Sequence, residues 1–275
     1  PDLFDKLENI ARIIRRNSIA FGGIQLILSG DFLQLPCVGT DKFCFQAQSW
    51  DLCLDHTIYL TEIIRQGDFV FQNCLNNVRL GNITPEVIDI LESCKGKVLN
   101  NSFGIIPTKL YSTNYDVDRV NDIELDKLAQ DGRQFYEYTM DIKLQGNNRL
   151  NVAEKYKKYC NAPEELQLCK GAQVILLKNL DMPNGLVNGS RGVVLSFIDD
   201  FPLVKFLNGM EILITPELWE IKENDKVVMY MEQIPLKVAY ALSIHRGQGC
   251  SLDYVQVDLS NIFEYGQSYV ALSRV

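Results

Sequence analysis

Residues 23–36 read GIQLILSGDFLQLP. The first half, GIQLILSG, is a short and continuously apolar run. That is the pattern of a parallel strand buried on both faces. Ser29, Gly30 and Asp31 then break the run with a tight polar turn, and Gln34 follows between two leucines with Pro36 close behind. In open α/β sheets, ligands bind at the carboxyl ends of strands, where Gly30 to Gln34 fall. On the residues alone two readings stand. Either Asp31 caps a turn and Gln34 fills a surface, or Gln34 faces something held at the strand end.

Working outward, DLFDKLENIARIIRR (2–16) predicts an amphipathic helix. Leu3, Leu7, Ile10 and Ile14 share one face, and basic residues close the last turn. Residues 68–93 read as helical with one interruption near Gly81. PTKLYSTN (107–114) reads as a strand, and 115–130 as a helix with Val117, Val120 and Leu128 inward. This strand–helix unit again indicates α/β architecture. Residues 132–165 are polar and weakly patterned, and support no assignment.

The texture changes over 168–234, where AQVILLKNL, GSRGVVLSFI, PLVKFL, MEILIT and DKVVMYM are short β-type runs. Asn-Gly occurs at 184–185, 188–189 and 208–209, and the last pair joins two such runs, the signal of a two-residue hairpin. The expectation is a small antiparallel β-barrel inserted in an α/β domain. The α/β pattern then returns, with KVAYALSIH as helix, YVQVDL as strand and GQSYVALSR as helix.

With 275 residues and 47% apolar composition, the chain has ample material for a core and for more than one domain. Charged residues make up 23%, so disorder is not the default. No run is long enough to span a bilayer, and no signal-peptide pattern opens the sequence. The eight cysteines include no CxxC pair, and His56 and His245 are the two histidines, which argues against a zinc site. Reduced, intracellular cysteines are a simpler reading than a disulfide framework. A net charge of −8 weighs against a general nucleic-acid binder. A locally basic groove with aromatic stacking could still bind one.

Five stretches, in order, carry a resemblance: FGGIQLILSGDFLQLPCVG, LTEIIRQGDFVFQNCLNNVRLGNI, LVNGSRGVV, ALSIHRGQGCSLDYVQVDL and GQSYVALSR. Together they resemble the Pif-type (petite integration frequency) DNA helicases, RecD-like members of superfamily one that move 5′ to 3′ on single-stranded DNA. The resemblance spans residues 1–275. It implies RecA-like P-loop helicase domains, the first one partial, with an inserted small antiparallel β-barrel. Residues 1–58 would be the C-terminal part of the first RecA-like domain and 59–167 the first segment of the second. The barrel would span 168–234, and 235–275 would complete the second domain. In the family, the phosphate loop and the acidic Mg²⁺ motif precede the segment matching PDLFDKLE, and no GxxxxGK[ST] occurs here. The implied cofactors are therefore ATP and Mg²⁺, with the Mg²⁺ ligands outside this chain, which looks truncated just after that motif. Alone it is expected not to hydrolyse ATP, because a phosphate loop cradles phosphates with backbone N–H groups and a lysine, and the metal needs its carboxylate.

The resemblance also assigns roles. Gln34 would sit near the γ-phosphate and couple nucleotide state to DNA grip, with Gly30 and Asp31 shaping its turn; Cys37 replaces the family's second proline. Arg65, in LTEIIRQ, resembles the arginine finger, a task suited to a permanently charged fork. Arg274, in YVALSR, matches a second arginine facing the γ-phosphate, and Gln267 and Tyr269 match with it. SIHRGQG (243–249) resembles the motif linking DNA and ATP, with Gln248 and Gly249 matching. His245 would touch a base or phosphate, and Arg246-Gly247 stands where the family has Lys-Ser, which removes one hydroxyl contact to DNA. Thr113 and Asn114 would lie near the DNA backbone. No metal ligand is implied within the chain.

Each has a plainer reading. Arg65 could pair with Glu62 or Asp68, Arg274 could answer a helix dipole, His245 could be a core histidine, and Thr113 and Asn114 could cap a helix. Asn188, Gly189 and Arg191 would open the barrel. The basic stretches RIIRR and KYKK read as solvated faces. The function implied is part of an ATP-dependent 5′-to-3′ DNA helicase serving replication, repair, recombination or telomere maintenance. Its partners would be single-stranded DNA and duplex or forked substrates. It would be a monomer away from membranes, intracellular, nuclear in the first instance and otherwise mitochondrial or viral. Two other readings are a non-catalytic single-stranded DNA-binding module and an acidic α/β scaffold for a protein partner.

Overall fold

Helices form at α1 (Asp2–Arg15), α2 (Trp50–Cys53), α3 (Phe69–Leu80), α4 (Pro85–Ser93), α5 (Asn114–Gln130), α6 (Ile244–Gly247) and α7 (Gln267–Leu272). The computed structural model describes residues 1–97, 104–145, 156–157, 160–223, 225–249, 252 and 254–275. Cys250 and, in KYKK, Lys155 and Lys158 lie outside the described residues. The chain divides into two compact units, residues 1–96 with 262–275, and residues 97–261.

The first unit is helical. Asp68 caps α3 by accepting from the Val70 and Phe71 amides, and Gly81 ends it at φ +76°, a left-handed cap that a side chain would strain. Thr84 caps α4 and Pro85 occupies its first turn, where no N–H is needed. The helical reading of 68–93, broken near Gly81, is what the structure shows. Helix α1 also forms where its pattern predicts, but Leu3, Leu7, Ile10 and Ile14 are exposed while Glu8 is buried. The inward face is polar because α1 packs on the turn at Ala20–Gly23. There the Glu8 carboxylate accepts from the Phe21 amide at 3.1 Å, and the Arg15 guanidinium donates to the Gly22 carbonyl at 2.7 Å.

GIQLILSG does not form the expected buried strand. Residues 24–30 enter no ladder, and Ile27 is 88% exposed. Every strand among the described residues lies in the second unit, so this run has no partner strand and keeps its apolar side chains in water.

The second unit holds the sheets. Strands β1 (Thr108–Tyr111), β12 (Ala241–Ser243) and β13 (Val255–Val257) form a parallel sheet in the order β12-β1-β13, with Tyr111 opposite Ser243. KVAYALSIH is therefore strand rather than helix at its centre. Ala239, Tyr240, Ala241 and Leu242 are buried on every side, and a short apolar run covered on both faces suits a central parallel strand. α5 packs against β12, with Val117 and Val120 buried beside Ala241.

Strands β5 (Gln173–Leu176), β6 (Arg191–Ile198), β7 (Phe201–Phe206), β8 (Glu211–Leu213) and β11 (Leu236–Val238) form an open antiparallel sheet in the order β11-β5-β6-β7-β8. No closed barrel forms among the described residues. The chain after β8 goes to a different sheet: β10 (Lys226–Gln233) pairs with β9 (Glu217–Glu223) on one side and with β3 (Asp141–Leu144) on the other, leaving β8 an edge. A further pair is β2 (Phe135–Thr139) with β4 (Glu165–Cys169); β2 and β3 lie in the stretch left unassigned from sequence. Asn208-Gly209 does join β7 to β8, through a four-residue loop in which the Asn208 carboxamide accepts from the Met210 amide at 3.1 Å. The two-residue turn falls instead at Asp199-Asp200, between paired Ile198 and Phe201, with both aspartates at positive φ as a primed turn requires. Leu168, Val174, Leu176, Val204, Phe206, Ile234 and Leu236 fill the core beneath this sheet.

Candidate nucleotide and nucleic-acid site

Two groups of candidate residues assemble, one in each unit. In the first, helix α7 organises the group. Gly266 precedes it at φ +69°, and a side chain there would meet the Gln34 carbonyl at 2.4 Å and the Leu33 carbonyl at 2.6 Å. Only glycine lets the glutamine loop lie this close. Next, Gln267 is fully buried. Its Oε1 accepts from the Phe263 amide at 3.1 Å, while its Nε2 has no hydrogen-bond partner among the described residues. At the far end of α7, about 9 Å away at 1.5 Å per residue, Arg65 Nη1 donates to the Ser273 carbonyl at 2.8 Å. Gln66 Nε2 donates to the same carbonyl at 3.2 Å and to that of Val275 at 2.6 Å. Arg65 is exposed beyond this one bond. Arg274 is buried: its Nε donates to the Val270 carbonyl and its Nη2 to the Ser273 hydroxyl, each at 2.7 Å.

Gln34 itself is half-buried. Its amide N–H donates to the Asp31 carbonyl at 3.2 Å, and its side-chain Nε2 to Asp31 Oδ2 at 3.4 Å. Gly30 is exposed with open space around it. Gln34, Asp31, Arg65, Gln267 and Arg274 thus lie along one short helix. Arg65 and Arg274 are forks of the kind that bind phosphate oxygens, and among the described residues Gln267 Nε2 is a buried donor without a partner.

The second group lies at the carboxyl ends of β1 and β12. Thr113 caps α5, its hydroxyl donating to Asp116 Oδ2 at 2.7 Å and accepting from the Asp116 amide at 3.2 Å. The capping reading of Thr113 is therefore realised, and Asn114 beside it is exposed. His245 and Arg246 lie on α6, directly after β12. Gly247 packs toward Leu110 of β1. Gln248 and Gly249 belong to this second unit, whereas Gln34 belongs to the first. Among the described residues no three His, Cys, Asp or Glu side chains gather to hold a metal ion.

The profile for PIF1-like helicases matches residues 1–88, and that for the DNA helicase Pif1 2B domain matches 152–197. A Xenopus laevis ATP-dependent DNA helicase PIF1 is 42% identical, over 99% of this chain and 43% of its own length. The crystal structure of Pif1 helicase from Candida albicans superposes with a TM-score of 0.82 at 36% identity, covering 99% of this chain and 67% of that one. The chain belongs to the Pif1 helicase family. A Bacteroides Pif1 helicase in complex with ADP-AlF3 and single-stranded DNA matches with a TM-score of 0.68 and 28% identity, over 65% of its length. The RecA-like helicase fold of these structures is the fold of this chain. The chain spans less than half the length of the Xenopus relative.

Within this Pif1-family chain, sequence reasoning missed several residues. Arg79 pairs with Asp31 across 48 positions, beyond the reach of any local pattern. Arg191, read from sequence only as part of the turn opening the barrel, is buried, donating from Nη1 to the Thr108 hydroxyl at 3.0 Å, and so ties β6 to β1. Gln173, also buried, accepts from the Ile106 amide and donates to the Ile106 and Ala239 carbonyls. Lys237 is half-buried; burial first, then the charge of nearby Arg246, holds its pKa below the ordinary lysine value.

Proposed function

We propose that this chain is part of an ATP-dependent 5′-to-3′ DNA helicase that translocates on single-stranded DNA and unwinds duplex or forked substrates. Its setting would be DNA replication, repair, recombination or telomere maintenance. The arrangement along α7 carries this reading: Gln34 contacts one end of the helix, and Arg65 and Arg274 meet at Ser273 on the other. In this reading ATP, held with Mg²⁺, supplies the phosphoanhydride bond whose hydrolysis drives stepping. Its phosphate loop and Mg²⁺ ligands would come from sequence outside these 275 residues. Gln34 senses the γ-phosphate from one side. Arg65 and Arg274 stabilise charge from the other, a contribution of roughly 10³–10⁵ in rate for a finger arginine. Residues 1–58 act as part of the first RecA-like domain and 59–167 with 235–275 as the second, with 168–234 as an inserted β module.

The second group contacts DNA. His245, Arg246 and Asn114 lie at the carboxyl ends of adjacent parallel strands, where such sheets bind ligands, while Thr113 orients α5. Gln248 and Gly249 follow His245 and relay between the two ligands. The protein acts as a monomer, in the nucleus or in a mitochondrial or viral setting. Binding of a fluorescent single-stranded oligonucleotide to this chain over a series of salt concentrations tests the reading. Affinity should fall with salt along a log–log line, and Arg246→Gln should reduce the slope by about 0.7, the value for one lost phosphate contact on a single strand. No binding at low salt would instead favour the acidic scaffold.

A further inference from the structure

The Gln34 loop is held from two sides. One is the close approach to Gly266. The other is a two-point ion pair: Arg79 Nη2 donates to Asp31 Oδ1 at 2.9 Å, and Arg79 Nε to Asp31 Oδ2 at 3.1 Å. Each oxygen of that carboxylate serves the loop as well. Oδ1 accepts from the Leu33 amide at 3.1 Å, and Oδ2 accepts from the Gln34 side chain at 3.4 Å. The Asp31 side chain is 18% exposed and that of Arg79 34% exposed, so the pair is partly withdrawn from water. Burial pushes the Asp31 pKa up. The Arg79 hydrogen bonds, the Leu33 amide, the Arg79 charge and the Gln34 amide together outweigh it and hold the carboxyl below its usual range.

Arg79 stands in the last turn of α3, whose start lies three residues beyond Gln66, the neighbour of Arg65. Gln72, also on α3, donates through Nε2 to the carbonyls of Gln66 and Ile63. α3 therefore fixes the Arg65 segment near its first turn and grips the Gln34 loop from its last. A planar fork suits this role, since it fixes a carboxylate in both position and rotation.

We infer that Arg79 is a positioning residue for Gln34: its forked pair with Asp31 sets the carboxamide and ties the glutamine loop to the helix that anchors the Arg65 segment. The inference rests on the reading of Gln34 as the nucleotide-sensing residue. A loop held this way moves with α3 or releases it, which links the two sides of the nucleotide site without any contact between Gln34 and Arg65 themselves.

The test is amide hydrogen exchange by NMR on this chain, with Arg79→Gln, Arg79→Lys and Asp31→Asn. Exchange of the Leu33 and Gln34 amides should quicken about tenfold in Arg79→Gln and Asp31→Asn, through local opening. Arg79→Lys, which keeps the charge but loses the fork, should recover part of the protection. Amides within α3 should be unchanged, which separates positioning from general loosening. In the protein that also carries a phosphate loop, Arg79→Gln should lower kcat for ATP and leave KM near wild type. Unchanged Leu33 and Gln34 exchange in both Arg79 variants overturns the inference. If Arg79→Gln fails to fold, the Arg79→Lys and Asp31→Asn pair decides on the same readout. Failure of the underlying reading looks different: Gln34→Ala would then turn over ATP like wild type, while loop exchange still depended on Arg79.

Discussion

Ile27 and Leu176 are both apolar residues in short β-type runs, yet one is 88% exposed and the other fully buried. The difference belongs to their units. In the second unit, among the described residues, each β-type run read from the sequence enters a ladder: β5 lies between β11 and β6, and Val174 and Leu176 share a core with Phe206 and Ile234. In the first unit no strand forms among the described residues, and Ile58, Leu60 and Ile64 stay in water as Ile27 does. A β-type run is only half an instruction, because its hydrogen bonds and its burial are both supplied by another segment. Helices make their own backbone bonds, which is why α3 and α4 form in the first unit where GIQLILSG does not.

The sharpest way to break this comparison is hydrogen exchange. Amides of residues 25–28 should exchange near the unprotected rate. Those of Val174, Ile175 and Leu176 should be slower by about 10⁴-fold or more, as for core strands that open only globally. Strong protection at 25–28 in this chain would mean that the first unit holds its own sheet. A smaller effect separates the units by stability. Gln173→Leu should leave the Ile106 amide and the Ala239 carbonyl unpaired in the interior, costing about 3 kcal/mol in denaturant unfolding of the second unit. Leu33 and Gln34 exchange should not change. The smallest effect is on pH. Asp31 has a depressed folded-state pKa, so its stabilisation is complete above the ordinary value of 3.8 and is lost as pH falls through the lower folded value. Arg79→Gln should remove most of that acid sensitivity from the loop.

Legibility in the sequence followed the same divide. The helical stretch 68–93 and its break near Gly81 were readable because a helix period and a glycine stop are local signals; the caps at Asp68 and Thr84 come from the structure. The parallel unit of β1 and α5 was readable from its strand-then-helix period. KVAYALSIH misled because nine mostly apolar residues fit a buried helix and a buried strand equally well, and only the partner β1 decides. The barrel misled because strand-like runs do not say which sheet they join; β10 carries β9 to a sheet completed by β3, in a stretch too polar to announce itself. At the site, Gln34, Arg65, Gln267 and Arg274 came from motif resemblance. Asp31–Arg79, Gln173 and Arg191 make their contacts over 48 to 83 positions, and no spacing rule reaches that far.

The group along α7 is expected to respond to nucleotide while the β1–β12 edge holds DNA. ATP turnover with and without single-stranded DNA, in the protein carrying these residues together with a phosphate loop, tests it most directly beside its Gln34→Ala variant. Turnover should be stimulated by DNA and fall sharply in the variant, while DNA affinity without nucleotide stays unchanged. Turnover equal to wild type in Gln34→Ala, or no turnover at all despite an intact phosphate loop, would contradict it.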